Sequence, residues 1–134
     1  MAEMIMKKLV NDAHRSDDFY IDSAAVSTEE IGNHIYPPAQ RILRHYGIPF
    51  SDHRARQVAH RDYDYYDLLV CMDTYNLRWL NRFIPQGDPQ DKVHLLMEYT
   101  GTYRDVADPW YTDDFERAYQ DILSGCTSLL KQLC

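Results

Sequence analysis

Two apolar runs separated by a helix-like segment are the feature that most restricts the fold of this chain. Residues 66–72 (YDLLVCM) and 93–97 (VHLLM) are short and rich in aliphatic side chains, which is typical of strands buried on both faces. Between them, residues 74–84 place Leu77, Leu80 and Ile84 on one side of a helix that ends before Pro85. This strand–helix–strand order predicts a parallel sheet covered by helices.

The remaining segments extend the alternation over the whole chain. Further helices are predicted at residues 2–10, 39–46 and 113–133, and a short strand at residues 19–23. Residues 63–67 are predicted to lead into the strand at 66–72 with exposed acidic side chains. The sequence contains no repeat and no linker, so we predict one α/β domain over residues 1–134, a parallel sheet flanked by helices. The order begins with a helix, although such folds normally begin with a strand.

Composition excludes several classes of partner. Hydrophobic residues make up 45% of the chain, which is a globular composition. The net charge of −7 argues against nucleic acid or an anionic membrane as the main partner. No apolar run approaches the ~20 residues that span a bilayer. Cys71, Cys126 and Cys134 lack metal-site spacing, so we expect reduced thiols, a cytoplasmic location, no metal and no cofactor.

The segment Asp108-Pro109-Trp110-Tyr111 is the main candidate for chemistry. Proline fixes its own φ and restricts the residue before it, so Asp108 is presented at a defined angle beside two aromatic rings. A general acid that serves an aromatic substrate needs this arrangement. Asp-Pro is also a common turn signal, and the pair alone does not decide between the two interpretations.

Six segments, in matching order and spacing, resemble the low-molecular-weight protein tyrosine phosphatases along the whole chain. They are Ala2-Glu3, residues 21–24 (IDSA), 53–57 (HRARQ), 65–73 (YYDLLVCMD), 76–77 (NL) with 80–82 (LNR), and 108–111 (DPWY) with 114–115 (DF). The resemblance implies that family's α/β fold and the hydrolysis of phosphotyrosine through a phosphocysteine intermediate.

The resemblance also implies roles for individual residues. Asp108 matches the general acid, while Trp110 and Tyr111 match the aromatic wall beside the substrate ring. Ser23 and His53 match residues that support the phosphate-binding loop. The chain departs from the family at Glu29 and Glu30, where many members place an aromatic residue on the other side of the substrate.

In the family the nucleophile lies in a Cys-x5-Arg loop between the first strand and the first helix, and Met1 aligns immediately after that loop. No Cys-x5-Arg occurs in the 134 residues, since Cys71 and Arg78 are separated by six residues. We therefore predict an N-terminally truncated domain that lacks the first central strand, the nucleophile and the phosphate-binding arginine. This chain should be inactive, and would act on a phosphotyrosine protein or a small aryl phosphate only with the loop restored.

Two other interpretations remain open. The chain could be a non-catalytic binding or regulatory module built on the phosphatase scaffold. It could also resemble the thioredoxin-coupled arsenate reductases, although these need further cysteines in the middle of the chain, where only Cys71 occurs. In either form, a missing central strand leaves two sheet edges unpaired, so we predict a homo-oligomer.

Overall fold

The computed structural model describes residues 1–26, 36–50, 56–107 and 114–134. Within these ranges the helices are α1 (Ala2–Asp12), α2 (Pro37–His45), α3 (Arg61–Tyr65), α4 (Thr74–Leu80) and α5 (Phe115–Leu133). The strands are β1 (Leu69–Cys71) and β2 (Val93–Leu95), and 3₁₀ turns span Ser16–Asp18 and Leu96–Thr100. None of the helices in the described ranges has the length and apolar character needed to cross a membrane.

The described sheet is parallel. Leu69 of β1 lies opposite Val93 of β2, and Cys71 lies opposite Leu95. Helix α4 forms the crossover between the two strands, as the sequence predicts. An isolated parallel bridge joins Ala25 to Gln57. The predicted α/β class, a parallel sheet flanked by helices, is confirmed.

Two local predictions need correction. Residues 19–23 form no strand, and among the described residues they pair with no strand. The approach to β1 contains helix α3 rather than a strand entry, and Tyr63 is buried within it. The acidic side chains of the predicted run, Asp64 and Asp67, are exposed as expected. The buried polar groups of this helix have one local and one distant partner: the Asp62 carboxylate accepts from the Ala59 amide at 2.7 Å, and the Tyr63 hydroxyl donates to Asp88, which is distant in sequence, at 2.7 Å.

The main core lies between α5, α1 and the 3₁₀ turn at Leu96–Thr100. Ile5 and Val10 of α1, Leu96 and Met97 of the turn, and Ile122 of α5 are all buried in one cluster. The turn approaches α5 most closely at Gly125, where a Cβ atom would lie 2.5 Å from Cγ of Leu96. The glycine therefore permits a contact that any larger residue would obstruct.

Gly125→Ala should destabilise the protein. The added methyl group would gain about 1 kcal/mol of helix propensity, but it would overpack a site that the buried Leu96 side chain already fills, at a cost of ~1–3 kcal/mol. We expect a net loss of about 1 kcal/mol for Ala and a larger loss for Val, measured by urea unfolding. The neighbouring exposed Ser124→Ala is the control, and an equal or greater loss there would contradict this account.

Candidate active site

The structure describes the surroundings of the predicted site rather than all of its members. Asp108, Trp110, Tyr111 and His53 lie outside the described residues, as do Glu29 and Glu30. Of the predicted site residues, Ser23 is described. The residues on either side of the undescribed segment 108–113, which are Ala107 and Asp114, are nevertheless described. We call residues 108–113 the Asp108 segment.

The residues before Asp108 are anchored at the carboxyl end of β1. The Val106 amide donates to the Met72 carbonyl at 2.8 Å, one residue beyond the strand. The Asp105 carboxylate accepts from the Thr74 amide at 2.9 Å, at the first residue of α4. Ligand sites of parallel α/β sheets lie outside the carboxyl ends of the strands. Asp108 therefore follows directly from a segment held at the edge where such sites form.

A second anchor comes from α5. The Asp121 carboxylate accepts from the Ala107 amide at 2.9 Å, and Arg104 donates to both of its oxygens at 2.9 and 3.0 Å. The Arg104 guanidinium holds the pKa of Asp121 below its ordinary value, with help from the Ala107 amide and against the opposing effect of burial. At the far end of the segment, Asp114 accepts from the Arg117 amide at 3.0 Å and begins α5.

Asp121→Asn should lower the free energy of unfolding at neutral pH. It should also make that free energy fall less steeply as the pH is lowered. Because the folded pKa of Asp121 is depressed, its contribution is present above the unfolded pKa of about 3.9 and is lost as the pH falls through the folded value. Arg104 is partly solvent-exposed, so screening limits the loss to ~1–2 kcal/mol at pH 7. Urea unfolding between pH 3 and 7 should show a shallower acid loss for Asn. Parallel curves for the two proteins would refute the linkage.

Ser23 contacts a residue that the sequence analysis did not single out. Its hydroxyl donates to Glu3 at 2.6 Å, and the other Glu3 oxygen accepts from Lys7 at 2.6 Å. The Glu3 side chain is only 4% exposed, so the carboxylate joins the start of α1 to the segment that carries Ser23. The i, i+4 pair of Glu3 and Lys7 was visible in the sequence, but nothing there indicated its burial.

The two buried thiols, Cys71 and Cys126, do not supply a nucleophile. Burial, with smaller effects from Asp73 and Glu98, raises the pKa of Cys71 to about 12. Burial also raises the pKa of Cys126 to about 12. Thiolates attack and thiols do not, so both side chains stay unreactive near neutral pH. The described ranges also hold no group of three His, Cys, Asp or Glu side chains placed to bind a metal ion.

A cleft of about 570 Å³ lies beside α3. It is lined by Tyr20, Asp22, Arg56, Arg61, Asp62, Asp64, Tyr65 and Tyr66. Arg56 is held there between two carboxylates, at 3.2 Å from Asp22 and 3.1 Å from Asp62. Asp62 is buried and accepts from Arg56 and the Ala59 amide. This ion pair connects segments of the fold, and we assign it no part in the chemistry of Asp108.

Comparison with known proteins decides the family. The model of the low molecular weight phosphotyrosine protein phosphatase family matches residues 1–134. The chain belongs to this family. The mouse low molecular weight phosphotyrosine protein phosphatase is 40% identical over 139 residues, covering 98% of this chain and 85% of the mouse protein.

Solved structures of family members agree with the fold. The crystal structure of YfkJ from Bacillus subtilis superposes with a TM-score of 0.92 at 33% identity, covering 98% of this chain and 84% of that one. A Drosophila arginine phosphatase superposes with a TM-score of 0.87 at 28% identity, covering 98% and 87%. The parallel sheet and its flanking helices are thus those of low molecular weight phosphotyrosine phosphatases.

Proposed function

We propose that this domain carries the acid–base half of a tyrosine phosphatase site, with Asp108 as the general acid. The observation that supports the proposal most directly is the anchoring of residues 105–107. Met72, Thr74 and Asp121 hold this short segment at the carboxyl end of β1. A general acid must be held within hydrogen-bond reach of the leaving group, and a fixed segment directly before Asp108 supports the proposal that Asp108 is held in this way.

In the proposed reaction, a cysteine thiolate attacks the phosphorus of a phosphotyrosine. Asp108 protonates the leaving tyrosine oxygen as the bond from that oxygen to phosphorus breaks. The resulting Asp108 carboxylate then takes a proton from a water molecule that attacks the phosphocysteine. Inorganic phosphate leaves, and both the thiolate and the protonated acid are regenerated. Trp110 and Tyr111 form the wall that contacts the substrate ring.

Ser23 and His53 have a supporting role in this proposal. Ser23 is already oriented by a nearly buried carboxylate, Glu3. The resemblance gives Ser23 and His53 hydrogen bonds to the phosphate-binding loop, and Glu3 would then fix the direction of the Ser23 hydroxyl. Glu3 is accordingly a positioning residue that acts through Ser23.

The 134 residues contain no Cys-x5-Arg sequence, and the described buried thiols have strongly raised pKa values. We therefore propose that this polypeptide alone is inert toward phosphotyrosine, and that it acts on a phosphotyrosine protein or aryl phosphate only together with a nucleophile loop. The test measures phosphate release from a phosphotyrosine peptide by the 134-residue polypeptide, with phosphoserine and phosphoarginine peptides beside it. Turnover by the pure polypeptide that Asp108→Ala abolishes would overturn this proposal.

A non-catalytic binding or regulatory module is the second candidate, and the lack of a Cys-x5-Arg sequence in these residues favours it. Such a module would bind a phosphotyrosine peptide without cleaving it. Titration calorimetry of the peptide against the 134-residue polypeptide separates the two candidates. Without a phosphate-binding arginine, the truncated-enzyme proposal expects no saturable binding.

We propose a cytoplasmic setting for this domain. All three cysteines are free, with Cys71 and Cys126 buried too far from solvent to be exchanged readily, which suits a reducing compartment. The net charge of −7 supports a protein substrate over nucleic acid or an anionic membrane.

A further inference from the structure

The outer face of α4 carries a surface that the proposed chemistry does not use. Tyr75, Arg78, Trp79 and Arg82 follow one another at the i, i+3, i+4 and i+7 positions, so they lie on one side of the helix and the turn that continues it. We call these four residues the α4 surface. The opposite side of the helix carries Leu77 and Leu80, which pack with Cys71, Leu95 and Val93.

Aromatic rings and guanidinium groups are combined on the α4 surface. The Arg82 guanidinium carbon lies 4.2 Å from the centroid of the Trp79 ring, within the range of a cation–π contact. The Tyr75 and Trp79 ring centroids are 6.0 Å apart, and Tyr75 is 52% exposed. Stacking on Trp79 restricts the Arg82 side chain while its N–H edge stays available to a ligand.

The charge of the α4 surface is opposite to that of the chain. The protein carries −7 overall, and other arginines pair with carboxylates, as Arg15 does with Asp18 and Arg104 with Asp121. Arg78 and Arg82 are both exposed, and within the described ranges neither pairs with a carboxylate.

Helix stability does not account for this placement. Two like charges at i, i+4 on a helix repel and destabilise it slightly. The helix dipole favours a cation in the last turn, which explains Arg78, but Arg82 lies beyond Leu80, where α4 ends. A surface of arginine, tryptophan and tyrosine has the composition of an interface centre.

We propose that the α4 surface docks an acidic segment of a protein partner. Carboxylates of the segment pair with Arg78 and Arg82, and an apolar side chain of the segment covers Tyr75 and Trp79. Charge complementarity selects this occupant, because two exposed guanidinium groups with no carboxylate partner in the described ranges favour a segment that carries carboxylates. A short acidic segment meets only the α4 surface, whereas a nucleic acid would also bring its dense negative charge against the acidic remainder of the protein.

The test uses the intact chain and a fluorescein-labelled peptide of Asp and Glu with two central Leu residues. Fluorescence anisotropy gives the affinity at 50 and 200 mM NaCl, with the Asn and Gln version of the peptide beside it. We expect saturable binding of the acidic peptide that weakens with salt. Arg78→Glu with Arg82→Glu should weaken it about tenfold or more. The peptide carries no phosphate, so the result does not depend on the proposed phosphatase activity.

Arg41→Glu with Arg61→Glu is the matched control, because both residues are exposed and belong to α2 and α3 rather than to the α4 surface. Each double variant makes two changes of −2 and so takes the net charge from −7 to −11. An equal loss in both double variants would refute the proposal, as would equal binding of the acidic and amide peptides. No binding of the acidic peptide, or tighter binding of a single-stranded oligonucleotide, would also refute it. Arg78→Gln with Arg82→Gln repeats the test if the Glu variant unfolds.

Discussion

Phosphatase activity should appear when the 134-residue polypeptide is extended at its amino terminus by an apolar strand and a Cys-x5-Arg-Ser-Pro loop. Without these residues the polypeptide should release no phosphate from a phosphotyrosine peptide. The expected difference is on the order of 10⁶ in rate, because the members of a catalytic constellation act as a unit and the rest of the site cannot replace a nucleophile. Steady-state assays of the two purified proteins at equal concentration measure it.

The pH dependence of the extended protein tests the role of Asp108. The acid must be protonated while the cysteine is a thiolate, so the rate should be greatest on the acidic side of neutrality. Asp108→Asn should lower kcat by on the order of 10²–10⁴ and remove one limb of the pH profile. Asp114→Asn is the control, because Asp114 caps α5 through the Arg117 amide. An extended protein that is folded but inactive would contradict the assignment of the chemistry.

Self-association is the second large effect expected of the 134-residue polypeptide. The amide of Leu69 in β1 donates to the Lys92 carbonyl, on the β2 side, at 2.9 Å. Successive residues of a strand direct their polar groups to opposite edges, so the amide and carbonyl of Val70 face the other edge, where no described strand lies. Each unpaired buried group costs ~1–3 kcal/mol. Pairing that edge with a second copy would recover part of this cost.

The residues around that edge are apolar. Leu68, Val70 and Met72 in and beside β1 are partly buried against the main core, as are Phe19 and Ile21 of the segment predicted as a strand. We therefore propose a dimer or larger assembly at micromolar concentration, measured by sedimentation velocity. The extended protein is the control, since its added strand should occupy the edge and give a monomer. A cooperatively unfolding monomer of the 134-residue polypeptide would rule out this proposal.

Helical periodicity in the sequence predicted the bounds of the longer helices accurately. Helices α1 and α5 lie within two residues of their predicted bounds, and α2 begins at Pro37, two residues before the predicted start. Strand lengths were overestimated, because an apolar run predicts burial whereas a strand also requires a paired neighbour. Residues 66–72 are all strand-like in composition, yet only Leu69–Cys71 pairs.

The residues that sequence reasoning missed depend on long-range contacts. Glu3 contacts Ser23 only because the fold brings together two residues that are twenty positions apart in the sequence. Asp121 anchors Ala107 across fourteen residues of chain, and no spacing rule relates those two positions. The α3 helix was missed because Asp62 and Tyr63 are stabilised by partners such as Asp88 that are distant in sequence. The predicted roles of Asp108, Trp110, Tyr111, Ser23 and His53 stay predictions.

The cysteines provide a ready means of following the state of the chain. Cys71 and Cys126 are buried, with pKa values near 12, and Cys134 is exposed on the last residue. A maleimide dye should therefore modify the folded protein at a single position, next to the end of α5. Labelling of Cys126 reports opening of the main core, to which that residue belongs. Labelling of Cys71 separately reports opening of the smaller cluster that it forms with Leu80 and Leu95. Mass spectrometry of timed labelling can then show which part of the domain opens first.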